Sequence, residues 1–301
     1  MATSRSEAAT ITTPELLRQV RRLEIRARRL VADRFLGQYH SVFRGRGLEF
    51  SEVRAYQPGD DVRIIDWNVT ARMGTPYVKE FVEERELTVL LAVDVSASQR
   101  FGTAERRKEE LAVELCALLA FAAVANQDRV GLLAFSDRVE AFVPPRKGSR
   151  HALRLVRDLL SLRPTRRGTD ISAATSYLQR SLRRRAIVFL ISDFLDEGYA
   201  KALRYASRRH DVIALMLTDP RELALPPVGL IEVEDAETGE RLFLDANDPA
   251  ARRRFAEQAA RAQQERRRTL TAAGVDIVEM STEGDYARPL LAFFQMRARR
   301  R

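Results

Sequence analysis

The sequence predicts an α/β fold, a mostly parallel β-sheet flanked by helices, with an N-terminal helix and a short-strand extension ahead of it. Three observations carry this reading. From residue 87 onward, short apolar runs alternate with helical patterns, the order expected of a parallel sheet wrapped by helices. Two of those runs, LTVLLAVDV and AIVFLISD, are almost unbroken apolar stretches that end in an aspartate, as strands covered on both faces do. Hydrophobic residues make up 45% of the 301 positions and charged residues 31%, enough apolar material for a sizeable core.

The elements follow in order. Residues 13 to 35 read as a helix, with Thr13 as its cap and Pro14 in its first turn. Leu16, Val20, Leu23 and Leu30 give it an apolar face set against Arg18, Arg21, Arg22, Arg26, Arg28 and Arg29. Residues 44 to 86 carry glycines, alternating runs and the turn Pro58-Gly59-Asp60-Asp61, and read as short strands with tight turns. The first core strand then ends at Asp94, and a long helix covers about 103 to 126. VGLLAFS and VEAFV are two strands close enough to pair. Helices over about 149 to 162 and from Ile171 precede the strand ending in Asp193. A helix near 196 to 208 leads to the strand DVIALMLTD. LIEVED and ERLFLDA form a hairpin about Glu237-Thr238-Gly239. A helix from Pro249 ends at Gly274, VDIVEMS is the last strand, and a final helix enters the basic tail Arg297 to Arg301. Two regions result: 1–86, a basic helix with a short-strand segment, and 87–301, the sheet domain.

The longest apolar stretch, Leu111 to Ala125, contains Glu114 and is too short for a membrane span. The N-terminus lacks the apolar core of a signal peptide, so the expected location is the cytoplasm. The single cysteine, Cys116, sits in an apolar helix pattern and reads as a buried structural thiol. The net charge of +9 invites a nucleic-acid reading, but the positive charge is almost all arginine, with lysine only at Lys79, Lys108, Lys147 and Lys201. With abundant alanine, that points to codon bias in the genome rather than to a partner.

Ligands of open α/β sheets bind beyond the carboxyl ends of the strands. Asp94-Val95-Ser96-Ala97-Ser98 follows the first core strand, Arg167-Gly168-Thr169-Asp170 precedes Ile171, and Ser192-Asp193 ends another strand. If the two strands are neighbours, two carboxylates and three hydroxyls meet at one rim. Such oxygen donors suit a hard cation such as Mg²⁺ or Mn²⁺, and the neutral hydroxyls leave the ion electrophilic toward an outside carboxylate. The order Asp94-x-Ser96-x-Ser98, Thr169, Asp193 resembles the metal-ion-dependent adhesion site of von Willebrand factor A domains, a Rossmann-like fold. The resemblance implies that Asp94, Ser96, Ser98 and Thr169 contact the ion directly or through water, and that Asp193 acts mostly through water. Gln99-Arg100 follows the serines where that family often has an apolar residue, and Arg100 either repels the ion or steers an acidic partner. The structural alternative is that both aspartates merely end buried strands and that the serines form turns.

Upstream, the run from Gly45 through Arg54, Tyr56, Pro58-Gly59-Asp60-Asp61, Arg63, Ile65-Asp66-Trp67 and Thr70-Ala71-Arg72 is similar to the bacterial A-domain-like family found beside MoxR-type AAA+ ATPases, long catalogued as a domain of unknown function. The resemblance implies a non-catalytic adaptor or co-chaperone that works with such an ATPase on a client protein. Arg54, Arg63 and Arg72 are its candidate partner-binding residues. Arg–carboxylate pairs are expected to brace the segment, and Trp67 to be buried where it packs against the sheet domain.

Two other functions remain on the table. A metal-dependent hydrolase or phosphotransferase is one, but His40, His151 and His210 lie in no catalytic pattern, and GxSxG, HExxH, Walker A and GxGxxG motifs are absent. A basic nucleic-acid binder is the other. The clusters Arg252–Arg254, Arg266–Arg268 and Arg297–Arg301 could follow phosphates, but no aromatic side chains are interleaved with them.

Overall fold

The structure is a computed structural model that describes residues 13–43, 47–84, 86–102, 106–164, 168–234 and 241–300. The chain divides into two compact units, Met1–Val42 with Thr88–Arg301, and Phe43–Leu87. The first helix therefore belongs with the sheet and not with the segment that follows it in sequence.

In the larger unit, α1 (Thr13–Leu30) runs through a five-residue π turn at Val31–Phe35 into α2 (Leu36–Val42). Thr13 is the first helical residue of α1, one position inside the cap expected for it.

The smaller unit is built on the antiparallel pair β1 (Gly47–Ala55) and β2 (Tyr77–Glu84). The sequence reading made this segment all short strands; the structure instead puts helix α3 (Trp67–Met73) between them. Its signals are local. Asp66 Oδ1 accepts from the Asn68 and Val69 N–H groups at 2.9 and 3.2 Å, and Gly74 closes the helix at φ +73°. Pro58-Gly59 makes a turn with Gly59 at φ +111°, where the Asp60 N–H donates to the Gln57 carbonyl.

The larger unit resumes with β3 (Thr88–Asp94), α4 (Lys108–Ala125), β4 (Arg129–Phe135), β5 (Val139–Arg146), α5 (Ser149–Ser161) and α6 (Ile171–Ser181). It continues with β6 (Ile187–Ser192), α7 (Ala200–Arg209), β7 (Asp211–Thr218), α8 (Pro220–Leu223), β8 (Leu230–Glu234) and β9 (Arg241–Asp245). It ends with α9 (Pro249–Ala272), β10 (Asp276–Ser281) and α10 (Ala287–Arg299). Six strands form one sheet in the order β10-β7-β6-β3-β4-β5, parallel throughout except for the β4–β5 pair at one edge. β8 and β9 form the expected separate hairpin, whose turn at Glu237-Thr238-Gly239 lies outside the described residues.

Period-2 alternation divides the strand residues between two covered faces. Leu90, Ala92, Val188, Leu190, Ala214 and Met216 pack with Leu178, Leu203 and Leu270 from α6, α7 and α9. α4 packs against β3 and β4 from the other side, beneath α1 and α5. Beyond its charged first turn it is therefore apolar on nearly every side, Glu114 apart, and Cys116 is buried within it. Phe35 and Tyr39 stack edge-on against Phe294 of α10, which ties the N-terminal helices to the C-terminal one. Among the described residues, no helix is long and apolar enough to cross a membrane.

Candidate metal centre

β3 pairs in parallel with β6, so the two aspartate-terminated strands are neighbours and deliver their ends to one rim. At the end of β3, Asp94 Oδ1 accepts from the Ser96 N–H at 2.9 Å, an Asx turn that swings the chain across the sheet edge. A 3₁₀ turn at Ala97–Arg100 then brings Ser98 Oγ to 3.1 Å from Ser96 Oγ. Asp94, Ser96, Ser98 and Asp193 are all buried. Thr169 is half-buried in a loop on the same rim. That loop is pinned twice: the Asp170 N–H donates to the Ser136 carbonyl beyond β4 at 2.9 Å, and the Ile171 N–H to Asp196 Oδ2 at 2.8 Å. Arg167, on the same loop, lies outside the described residues.

Several partners of this rim were not visible in the sequence. Ser192 Oγ donates to Asp94 Oδ2 at 2.6 Å and accepts from the Phe194 N–H at 3.0 Å. Phe194, fully buried, holds φ +56°, a left-handed conformation that costs a non-glycine residue roughly 1–2 kcal/mol and turns the chain sharply after Asp193. Gln99 is buried, with its amide nitrogen 3.3 Å from Asp94 Oδ2 and its amide oxygen unpartnered among the described residues. Arg100 is exposed and reaches the Pro164 carbonyl at 3.4 Å. Lys108, wholly buried at the start of α4, places Nζ 2.6 Å from both Asp193 Oδ2 and Glu222 Oε1. Sequence held one signal for it. Lys108 is one of four lysines in an arginine-dominated chain, set at a helix N-terminus where the helix dipole disfavours cations.

Two carboxylates share the buried rim. Burial first, and the nearby Asp193 carboxylate second, push Asp94 well above the usual carboxylate range, although hydrogen bonds from Ser192 and Ser96 oppose the shift. A divalent ion would relieve that penalty. The donor chemistry is also suitable. Two ligands at right angles on an octahedral Mg²⁺ stand about 3 Å apart, close to the separation of the two serine hydroxyls. Among the described residues, no three His, Cys, Asp or Glu side chains converge, so the rim is a carboxylate–hydroxyl site and not a histidine or thiolate cage.

In the smaller unit the three candidate partner-binding arginines differ. Arg54 forms a two-pronged pair with Asp60, both contacts at 2.8 Å, and the Gln57 N–H donates to the same carboxylate. The Arg54 hydrogen bonds foremost hold the Asp60 carboxyl down to about 2. Arg63 and Arg72 are exposed and make no ion pair among the described residues. Trp67, expected to be buried, is 69% exposed at the first turn of α3, with Val62 and Met73 also exposed. The Arg46 end of the segment lies outside the described residues.

Comparison with known proteins places the chain. It is 36% identical over 293 residues to the uncharacterized protein Rv1480 of Mycobacterium tuberculosis, covering 96% of this chain and 92% of that protein. Among solved structures it is similar to BatB, a conserved hypothetical protein from Bacteroides thetaiotaomicron, at 18% identity and a TM-score of 0.48, covering 71% of this chain and 99% of that one. It is also similar to the VWA domain of SpRpn10, at 11% identity and a TM-score of 0.38, covering 69% of this chain and 94% of that one. The model of a family described as protein of unknown function DUF58 matches residues 52–266, so the chain belongs to the DUF58 family.

Proposed function

We propose that this protein is a non-catalytic, metal-dependent protein-binding adaptor or co-chaperone that acts with a MoxR-type AAA+ ATPase in the cytoplasm. The single observation that carries the reading is the meeting of Asp94, Ser96, Ser98 and Asp193 at the carboxyl ends of two neighbouring parallel strands. Asp94, Ser96, Ser98 and Thr169 would hold Mg²⁺ or Mn²⁺, with Asp193 acting through water. The ion supplies a Lewis-acidic position for a carboxylate of the partner. The chain's own part is positional: the Asx turn and Ser192 fix Asp94, and the left-handed Phe194 turn fixes Asp193. The partnership with the ATPase rests on the resemblance of the 46–72 segment, and exposed Arg63 and Arg72 are the side chains there best placed to meet an acidic surface.

Calorimetry tests the metal site. Wild type should bind Mn²⁺ and Mg²⁺, and Asp94→Ala should abolish binding; indistinguishable titrations would remove the basis of the reading. Size exclusion with the cognate MoxR-type ATPase, with Mg²⁺ and with EDTA, tests the partnership. A complex that needs Mg²⁺ and is lost in Asp94→Ala is expected. If the two proteins neither associate nor change the ATPase rate, the adaptor role is wrong.

A further inference from the structure

We propose that Lys108 is the built-in counter-cation of this rim, a positioning residue that holds Asp193 when no metal is bound and lowers the affinity of the free chain for divalent ions. The inference rests on the adhesion-site reading above. Two observations carry it. Lys108 is fully buried, yet its ammonium contacts two carboxylates at 2.6 Å, Asp193 on the rim and Glu222 on α8. The arrangement is also braced from behind. Glu222 Oε2 accepts the Asp219 N–H at 3.0 Å, and Asp219 accepts from Thr282 Oγ1 at 2.7 Å, so the ammonium is tied to the ends of both β7 and β10.

The consequence follows from charge. A buried ion pair left without one partner is strongly unfavourable, so a rim carrying Asp94 and Asp193 alone would have to take up a proton or a cation. Lys108 supplies that charge from within the chain. It also occupies Asp193 Oδ2 and repels an arriving divalent ion. Glu222 shares the same ammonium and moderates the repulsion.

The two partners therefore predict effects of opposite sign. In the full-length chain, Lys108→Met should bind Mn²⁺ about tenfold more tightly than wild type. It should melt lower in EDTA and gain more on addition of Mn²⁺. Glu222→Gln, which keeps the size of the side chain at this half-buried position, leaves the whole ammonium charge on Asp193 and should weaken Mn²⁺ binding severalfold. A purely structural Lys108 would lower the melting temperature without moving either affinity. Calorimetry with Mn²⁺ on wild type, Lys108→Met, Glu222→Gln and Asp94→Ala decides the matter. Binding lost in Asp94→Ala but equal in wild type and Lys108→Met overturns the role given to Lys108 alone. Absence of Mn²⁺ binding in all four proteins overturns the adhesion-site reading, and this inference with it. If Lys108→Met fails to fold, Glu222→Gln carries the test, and an affinity equal to wild type overturns the proposal.

Discussion

His210 closes α7 with its ring buried, and that burial gives the protein a pH response unrelated to the rim. The Ala186 N–H donates to His210 Nδ1 at 3.3 Å, so the neutral imidazole is the form that fits. Burial foremost, with the charges of Arg209 and Arg185, pulls its pKa from 6.5 down to about 4. Between those values the unfolded chain takes up a proton that the native ring refuses. Stability is therefore intact above about pH 6.5 and is lost as the pH falls toward 4, by at most roughly 3 kcal/mol. Melting temperatures of wild type and His210→Gln between pH 7 and 4.5 check this: wild type should lose more, and parallel curves would contradict it. Residue-scale legibility follows sequence distance. Asp94, Ser96 and Ser98 are two residues apart and their turn chemistry is local, so the motif could be read directly. Lys108 and Asp193 are 85 residues apart and meet only because β3 lies beside β6, an adjacency that the sequence reading had to assume.

At the scale of elements, long signals were legible and short ones were not. The buried strands ending in Asp94 and Asp193 have no polar interruption, and nothing competes with the strand reading of LTVLLAVDV. α3 was missed because its seven residues include Trp67, Val69 and Thr70, β-formers that masked the Asp66 cap and the Gly74 stop on either side. The β4–β5 pair at the reversed edge is local and matches two strands read as close enough to pair, but the rest of the strand order was hidden, since β3, β6 and β10 find their neighbours across intervening helices. That edge offers a sharp test. Gly131 in β4 lies so close to β5 that a Cβ there would sit 2.8 Å from both the Val143 carbonyl oxygen and the Pro145 nitrogen. Backbone atoms cannot swing away, so Gly131→Ala should cost roughly 1–3 kcal/mol in urea denaturation. Unchanged stability would contradict so close an approach of β5 to Gly131. Gly102 makes the same point nearer the site. A Cβ there would meet the Arg107 Cα at 2.4 Å, so Gly102→Ala should displace the start of α4, and Lys108 with it. Its melting curve in EDTA should fall along with that of Lys108→Met.

At the scale of the molecule, the division into two units puts the proposed metal rim on the larger and the candidate partner-binding arginines on the smaller. The geometry of the smaller unit sorts its arginines. Arg54 is committed to Asp60 and to the turn that Asp60 caps through the Gln57 N–H, so reversing its charge sets two carboxylates against each other in a braced turn. Arg63 and Arg72 carry no such commitment among the described residues and flank exposed Trp67. Exposed aromatic and arginine side chains in one short segment have the composition of an interface hot spot. Arg54→Glu should therefore lower the melting temperature. Arg63→Glu and Arg72→Glu should leave both melting and Mn²⁺ affinity at wild-type values while weakening the complex with the MoxR-type ATPase, most strongly at low ionic strength. Trp67→Ala belongs with the second group, because a side chain this exposed has little burial to lose. The decisive measurement pairs melting temperature with ATPase affinity for all four variants. Parallel loss of both in every variant would make the segment scaffold, and the docking surface would then have to lie elsewhere on the chain.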